Sequence, residues 1–441
     1  MASRFSKWTW AGAIVLALLS LFSEPTMAQV ATTGAGGVFV DAQGVLRARQ
    51  TADKARSRKL AALRKRRGRD AEVIAFVSLP RLFREVKGRV DAGEAIPEEM
   101  AFLDGMTRLQ YVFVFPEEKD LVIAGPREPL DSPESGRAIG EQSGRPTLRL
   151  DDLVTALRTV GPGKENTNYG CSLDLPPNAI PRIQQAAGRI GAVRRGRGYG
   201  RVMQAIAQAC GPQEVRFFGI DADTPTAFTM IEADYILKQL NLGLMRSPVS
   251  KVKSRFALLR RGESLYSRVW FTPDYDSLIV APEGDAYELR GQGLRVLASD
   301  SPTGRSNSSG PSAEAFAKQF TEHFPEMEAA IPVLADLRNV TDLGVLAALI
   351  GTDRLHEKAE WDLRWILDPS GYPVPKTPVP TTAATLANAK LAGRSLLLSV
   401  GGVNLSPGRV VEQDRQEAPL ADFPVKPSRP SEETQWSMLG E

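Results

Sequence analysis

Histidine and cysteine are scarce in this 441-residue chain, with two of each. His323 and His356 stand in no His-x-x-x-His spacing, and Cys171 and Cys210 in no Cys-x-x-Cys spacing. The sequence therefore offers no metal-binding pattern, and no metal or cofactor is expected. A Gly-x-Ser-x-Gly elbow is missing too, which removes the usual nucleophile loop of an α/β-hydrolase. Beyond the N-terminus no apolar run approaches the ~20 residues that a membrane-spanning helix needs. Leu343–Gly351 reads as a buried helix instead. Charge of one sign is also lacking: the formal net charge is +3. Without a basic excess, nucleic acid is not an expected partner.

What the N-terminus does carry is an export signal. Arg4 and Lys7 precede the uncharged run AGAIVLALLSLF, Ala11 to Phe22, and Glu24 and Pro25 end it. Thr26-Met27-Ala28 closes on a small residue, the pattern of a cleaved signal peptide, so residues 1–28 are assigned to it and cleavage is placed after Ala28. No Cys follows for lipid attachment, and no transmembrane anchor is expected in the mature chain. The expected location is extracytoplasmic, periplasmic or secreted.

The remaining chain contains 42% hydrophobic residues over its full length, enough for a substantial core. Residues 29–70 read as a flexible segment, a short hairpin (GGVFVDAQGVL) and a basic helix over Arg47–Arg69, whose only acid is Asp53. Residues 71–300 read as an α+β core module, with mixed or antiparallel sheets, hairpins and packed helices. In it VFVF-Pro116-EEKD-LVIA has a hairpin signature, which recurs as VWFT-Pro273-DYDS-LIVA. The recurrence either marks two pseudo-repeated halves or arises twice from hairpin physics. Asp151 is placed to cap the helix of LRLDDLVTALRTV. Residues 301–312 are a linker, 313–368 a helical region, 369–411 a proline-rich segment and final strand, and 412–441 a disordered tail.

Two features look catalytic at first reading. VRFFGIDADT places Asp221 and Asp223 after an apolar strand, as in the nucleophile loop of haloacid-dehalogenase-type phosphatases. A strand-to-helix turn with Thr224 as N-cap explains the same residues without chemistry. On the helix that follows, Glu232, Asp234 and Lys238 read as a solvated face, with Asp234 and Lys238 an i,i+4 pair. Two basic stretches are candidate binding residues: Arg64, Lys65, Arg66 and Arg67 in the basic helix, and Arg194, Arg195 and Arg197 in a glycine-loosened loop. Cys171 and Cys210 are a candidate disulfide in an exported protein, with two separate buried thiols as the alternative.

The ordered series GGVFVDAQGVL, LVIAGPREP, RPTLRLDDLVTALR, TAFTMIEADYILKQLNLGL, SRVWFTP and LLLSVGGVNL resembles a family of secreted planctomycete proteins classed as a domain of unknown function. The resemblance runs from Gly36 to Leu405 and implies export, but carries over no activity and no site residue. The reading at this point is an exported, non-enzymatic binding or structural protein of the cell envelope. Its partner is an anionic polymer or protein met through a basic surface. The alternative is an exported phosphatase-like hydrolase using Asp221 and Asp223.

Overall fold

The computed structural model describes residues 38–40, 45–48, 73–131, 138–165, 168–190, 205, 208–260, 263, 266–300, 309–390, 395–433 and 435–440. Residues 1–28, expected to be a signal peptide, the basic segment from residue 49, the arginine-glycine loop and the segment 301–308 expected to be a linker lie outside them. Within the described residues no helix is long and apolar enough to cross a membrane.

The chain folds as α+β around two large sheets. Sheet A runs in the order β1 (Val38–Val40), β2 (Val45–Ala48), β14 (Thr382–Ala383), β9 (Gln213–Phe218), β8 (Tyr169–Asp174), β16 (Ser395–Leu405), β10 (Tyr266–Asp274) and β13 (Gly293–Ser299), with β15 (Ala387–Lys390) also on β16. Sheet B runs β17 (Arg415–Glu417), β11 (Ser277–Val280), β12 (Ala286–Arg290), β4 (Tyr111–Phe115), β5 (Asp120–Pro126), β3 (Ile74–Ser78) and β18 (Ser437–Leu439). A two-stranded ribbon joins β6 (Leu130–Asp131) to β7 (Ile139–Gly140). The basic stretch expected to be helical from Arg47 begins instead inside β2, which pairs antiparallel with β1.

The longer helices are α1 (Leu79–Ala92), α2 (Leu150–Val160), α3 (Ala179–Ile190), α4 (Pro225–Leu242), α5 (Pro311–Glu322), α6 (Phe324–Ala330), α7 (Pro332–Thr352) and α8 (Pro407–Gln413). α7 is buried from Val333 to Ile350, the mark of a helix enclosed on all sides. One core takes in Val112, Val114, Leu121 and Ile123 from sheet B, Cys171, Val269 and Val403 from sheet A, and α2, α4 and α7 between them. The helical region of 313–368 thus packs into the same core as the strands. α2 begins at Leu150 with Arg149 at the N-cap position. Asp151 does not cap it: its carboxylate accepts from the Tyr372 hydroxyl at 2.7 Å, tying the proline-rich segment to the helix.

The first hairpin forms as the sequence indicates, with Tyr111–Phe115 paired to Asp120–Ala124. The second does not. β10 pairs with β13 and β16, and β11 pairs with β12 and β17, so Arg268–Ala281 is no hairpin. Pro273 is a strand residue opposite Leu294, beyond the last β16 partner at Phe271, where its missing N–H leaves no ladder bond unmade. The turn comes later, where Ala281 N–H bonds the Ala286 carbonyl at 2.9 Å. Both arms of this long ribbon change sheets, one at Tyr275 and the other at Gly291 and Gly293, whose φ values of +116° and +89° need glycine. The two segments that looked alike in sequence therefore have different structures.

The tail expected to be disordered is structured. β17 joins β11 in parallel, Phe423 is buried, and β18 pairs antiparallel with β3. Its sparse apolar residues are used one by one against a face the sheet already offers, so low overall hydrophobicity does not leave it unfolded.

Four tyrosines seal the layers. Tyr169 reaches the Val340 carbonyl at 3.4 Å, Tyr275 Asp342 at 2.6 Å, Tyr287 Asp353 at 2.8 Å, and Tyr372 Asp151. Burial raises the phenol pKa of each above the ordinary value near 10. A folded pKa above the unfolded one gives stability that is complete below pH ~10 and is lost as pH rises toward the folded value. We expect Tyr169, Tyr275, Tyr287 and Tyr372 to stay protonated at pH 11 and to ionise only with unfolding. Absorbance at 295 nm checks this, and smooth titration of every tyrosine near pH 10 in folded protein would contradict it.

Candidate functional site

The acidic turn lies where β9 leaves sheet A for α4. Gly219 makes the exit at φ +67°, where a Cβ would stand 2.6 Å from the Asn168 carbonyl. Thr224 caps α4, accepting from Ala227 N–H at 3.2 Å and donating to the Asp221 carbonyl at 3.0 Å. Asp221 and Asp223 are exposed. The Asp223 carboxylate pairs with Lys376 at 3.0 Å, while its carbonyl accepts from Thr377 N–H at 2.8 Å. The geometry is that of an ordinary helix start docked on the proline-rich segment. Among the described residues no group of three or more His, Cys, Asp or Glu comes together to hold a metal. His323 pairs with Glu326 at 3.2 Å, and His356 lies 3.3 Å from the Ile350 carbonyl.

α4 itself overturns the sequence reading. Glu232, Asp234 and Lys238 are not a solvated face: all three are 0% exposed. Sheet A covers one side of the helix, and α7 and α2 cover others. Strand register sets what α4 meets. Gln213, Ser399 and Ser267 lie toward one end of the helix-facing surface, and Cys171 and Val403 lie across from Phe217 at the other. Asn241 donates to Ser267 Oγ at 2.9 Å and Ser399 Oγ at 3.0 Å, and Gln213 donates to the Ser399 carbonyl at 2.9 Å. One turn toward the N-terminus, Lys238 binds Asp234 in a fully buried ion pair. Desolvation lowers the Lys238 pKa and raises that of Asp234, while their mutual attraction opposes both shifts. A lysine of lowered pKa can be nucleophilic, but this one is sealed from any substrate. Its geometry fits architecture.

A second charged cluster sits at the corner where the ribbon changes sheets. Arg338 Nη1 donates to both Glu328 oxygens at 2.7 Å, and its Nη2 donates to the Thr107 carbonyl at 3.0 Å. Asp342 lies 3.9 Å from Arg338 Nε and 3.8 Å from Arg108 Nε, and accepts from the Tyr275 hydroxyl. Arg108 also bonds the Gly291 carbonyl, at one of the two bends.

The two cysteines are free and buried. Cys171 faces α4 from sheet A. Cys210 packs with Ala179, Ile183 and Leu398 on the opposite side of that sheet, with Thr385 Oγ1 3.6 Å from its sulfur. Side chains alternate across a strand, so the expected bridge would have to pass through the sheet. Burial raises both thiol pKa values, which keeps them inert. Titration of the unfolded, unreduced protein should find two thiols per chain; none in a monomer would contradict this arrangement.

The residues expected from the sequence to bind a partner, Arg64, Lys65, Arg66, Arg67, Arg194, Arg195 and Arg197, lie outside the described residues. Their attachments do not. The N-terminal basic stretch leaves from β2 on sheet A, and the arginine-glycine loop leaves from α3 and returns to the helical turn at 208–210, packed on the outer side of the same sheet. β2 stands three strands from β8, or about 14 Å at ordinary strand spacing.

Residues 171–255 match the family described as "Protein of unknown function (DUF1598)". The match spans both cysteines, the arginine-glycine loop, the acidic turn and α4, and is narrower than the resemblance read from Gly36 to Leu405. No protein of curated function matches the chain. No solved structure matches it either.

Proposed function

We propose that this chain is an exported, non-enzymatic binding or structural protein of the cell envelope, which meets an anionic polymer or acidic protein through a basic surface. The observation that carries the reading is the use made of charged side chains. Asp152, Asp234, Lys238, Glu328, Arg338 and Asp342 are buried among one another and among hydroxyl groups, where no substrate reaches them. Of the two acids that resemble a catalytic pair, Asp223 holds Lys376 in a surface ion pair, and Asp221 meets the helix start through its main-chain carbonyl. What the sequence then offers a partner is its dense arginine and lysine, in stretches that follow β2 and α3 along the chain. Export follows from the N-terminal signal, and the wider resemblance to secreted planctomycete proteins agrees with it.

The test uses the mature chain, whose first residue we expect to be Gln29. It should be retained on an immobilised polyanion such as polyphosphate, and released by salt as exposed charges are screened. It should hydrolyse phosphate esters at background rate, unchanged by Asp221→Asn. A Mg²⁺-dependent activity lost in that variant would replace this reading with the hydrolase.

A further inference from the structure

We propose that the outer face of sheet B, together with the edge of β3, is a self-assembly surface that receives the C-terminal segment of a second copy of this chain. This goes beyond the basic contact surface proposed above and uses a different part of the molecule.

Alternation on sheet B sends Phe76, Tyr111, Phe113, Val122, Ala124 and Ile279 to the side away from the main core. That face is aromatic: the Phe113 ring stacks with Phe76 at 6.3 Å and Tyr111 at 6.0 Å between centroids. Among the described residues, its cover is the tail rather than a helix. Ala418, Leu420, Phe423, Val425 and Met438 pack on it, with Phe423 only 2% exposed. The tail then adds a strand. Ser437, Met438 and Leu439 pair antiparallel with Val77, Phe76 and Ala75, flanked by Ser78 N–H to the Trp436 carbonyl at 2.8 Å and Gly440 N–H to the Ile74 carbonyl at 2.7 Å. Between anchor and strand, Arg81 grips the carbonyls of Pro430 at 2.9 Å and Gln435 at 3.3 Å. An aromatic anchor followed by strand addition is a peptide-recognition mode, met here by the chain's own end.

The same contacts make the tail displaceable. Among the described residues from Asp414 to Gly440 only Phe423 and Pro430 are buried, so this segment opens at lower cost than the strands beneath it. α8 holds the near end through buried Val410 and Val411. The 28 residues from Asp414 to Glu441 reach about 90 Å when extended, enough to cross to a neighbouring molecule. The occupant follows from chemistry. The sequence that fits this face and edge is the tail's own, and a copy whose tail has swung out presents the matching face in return. Such an exchange is reciprocal and closes as a two-fold dimer.

The experiment places a photo-crosslinking amino acid at Leu439, chosen because its side chain is 47% exposed. Light and nitrogen-15-labelled full-length chains, otherwise unaltered, are mixed in equal amounts across a range of concentrations and illuminated. Peptides joining position 439 to Ile74–Ser78 are then sorted by label. We expect light–heavy pairs that increase with concentration toward half of the product, together with a dimer mass by light scattering. Light–light and heavy–heavy pairs alone at every concentration, with a monomer mass, would show that the tail stays on its own sheet and would overturn the proposal.

Discussion

Replacing Arg338 with Met is expected to destabilise the protein by about 3–5 kcal/mol, the cost of breaking a buried ion pair from one side. The change takes both short hydrogen bonds from Glu328, leaving it only the more distant Arg145 at 3.8 Å, and leaves the Thr107 carbonyl without its donor. It also loosens the corner at which the β10–β13 ribbon changes sheets, because the Arg338 side chain packs against Gly293 there, its Cγ only 2.8 Å from where a Cβ would lie. Arg338→Lys should cost nearly as much, since an ammonium cannot span both Glu328 oxygens and reach Thr107 together. Chemical denaturation at neutral pH reads both changes. A loss below about 0.5 kcal/mol in either variant would mean that the cluster does not clamp the sheets.

The second large effect concerns α4. Lys238→Met should cost about 3 kcal/mol at neutral pH, because it strands the Asp234 carboxylate in a dry site. Part of that loss should return in acid. Burial holds the Asp234 pKa above its unfolded value, so the folded state binds the proton more readily. Stability of the variant is then highest below the unfolded pKa and falls as pH rises through the folded one. Replacing both partners, Asp234→Leu with Lys238→Met, should recover most of the single-mutant loss, because an apolar pair of similar volume needs no partner. A double variant as unstable as the single one would show that the pair does more than satisfy itself.

The ion pair shows why its environment escaped the sequence. Asp234 and Lys238 stand at i,i+4 whether a helix is exposed or enclosed, and local spacing says nothing of what covers it. A signal was present in the small number of charges, since Glu232, Asp234 and Lys238 are the only ones in the eighteen residues of α4. The hairpin of Tyr111–Phe115 and Asp120–Pro126 was readable because two continuous apolar runs flank a proline and charged residues, and so was the cap Thr224. The ribbon was misread because Pro273 followed by acidic residues looks like a turn, and only the extent of β16 reveals that proline stands past the paired part of β10. The tail was misread for its polar composition. Phe423, Trp436 and Met438 are few, but each finds a place on a sheet that already exists. Bridging of Cys171 and Cys210 could not be judged without knowing which side of sheet A each one faces.

The central claim is that a basic surface, not a catalytic pair, does the work of this chain. Its most direct test compares mature wild type with a variant in which Arg64, Lys65, Arg66, Arg67, Arg194, Arg195 and Arg197 are all Gln. Binding to polyphosphate is followed by titration at increasing salt, and melting temperature by calorimetry. Wild type should bind with an affinity that falls steeply with salt, and the variant should lose that binding while melting within a few degrees of wild type, as expected of charges that serve a partner and not the fold. Equal binding by the two proteins, or none by either, would contradict the account.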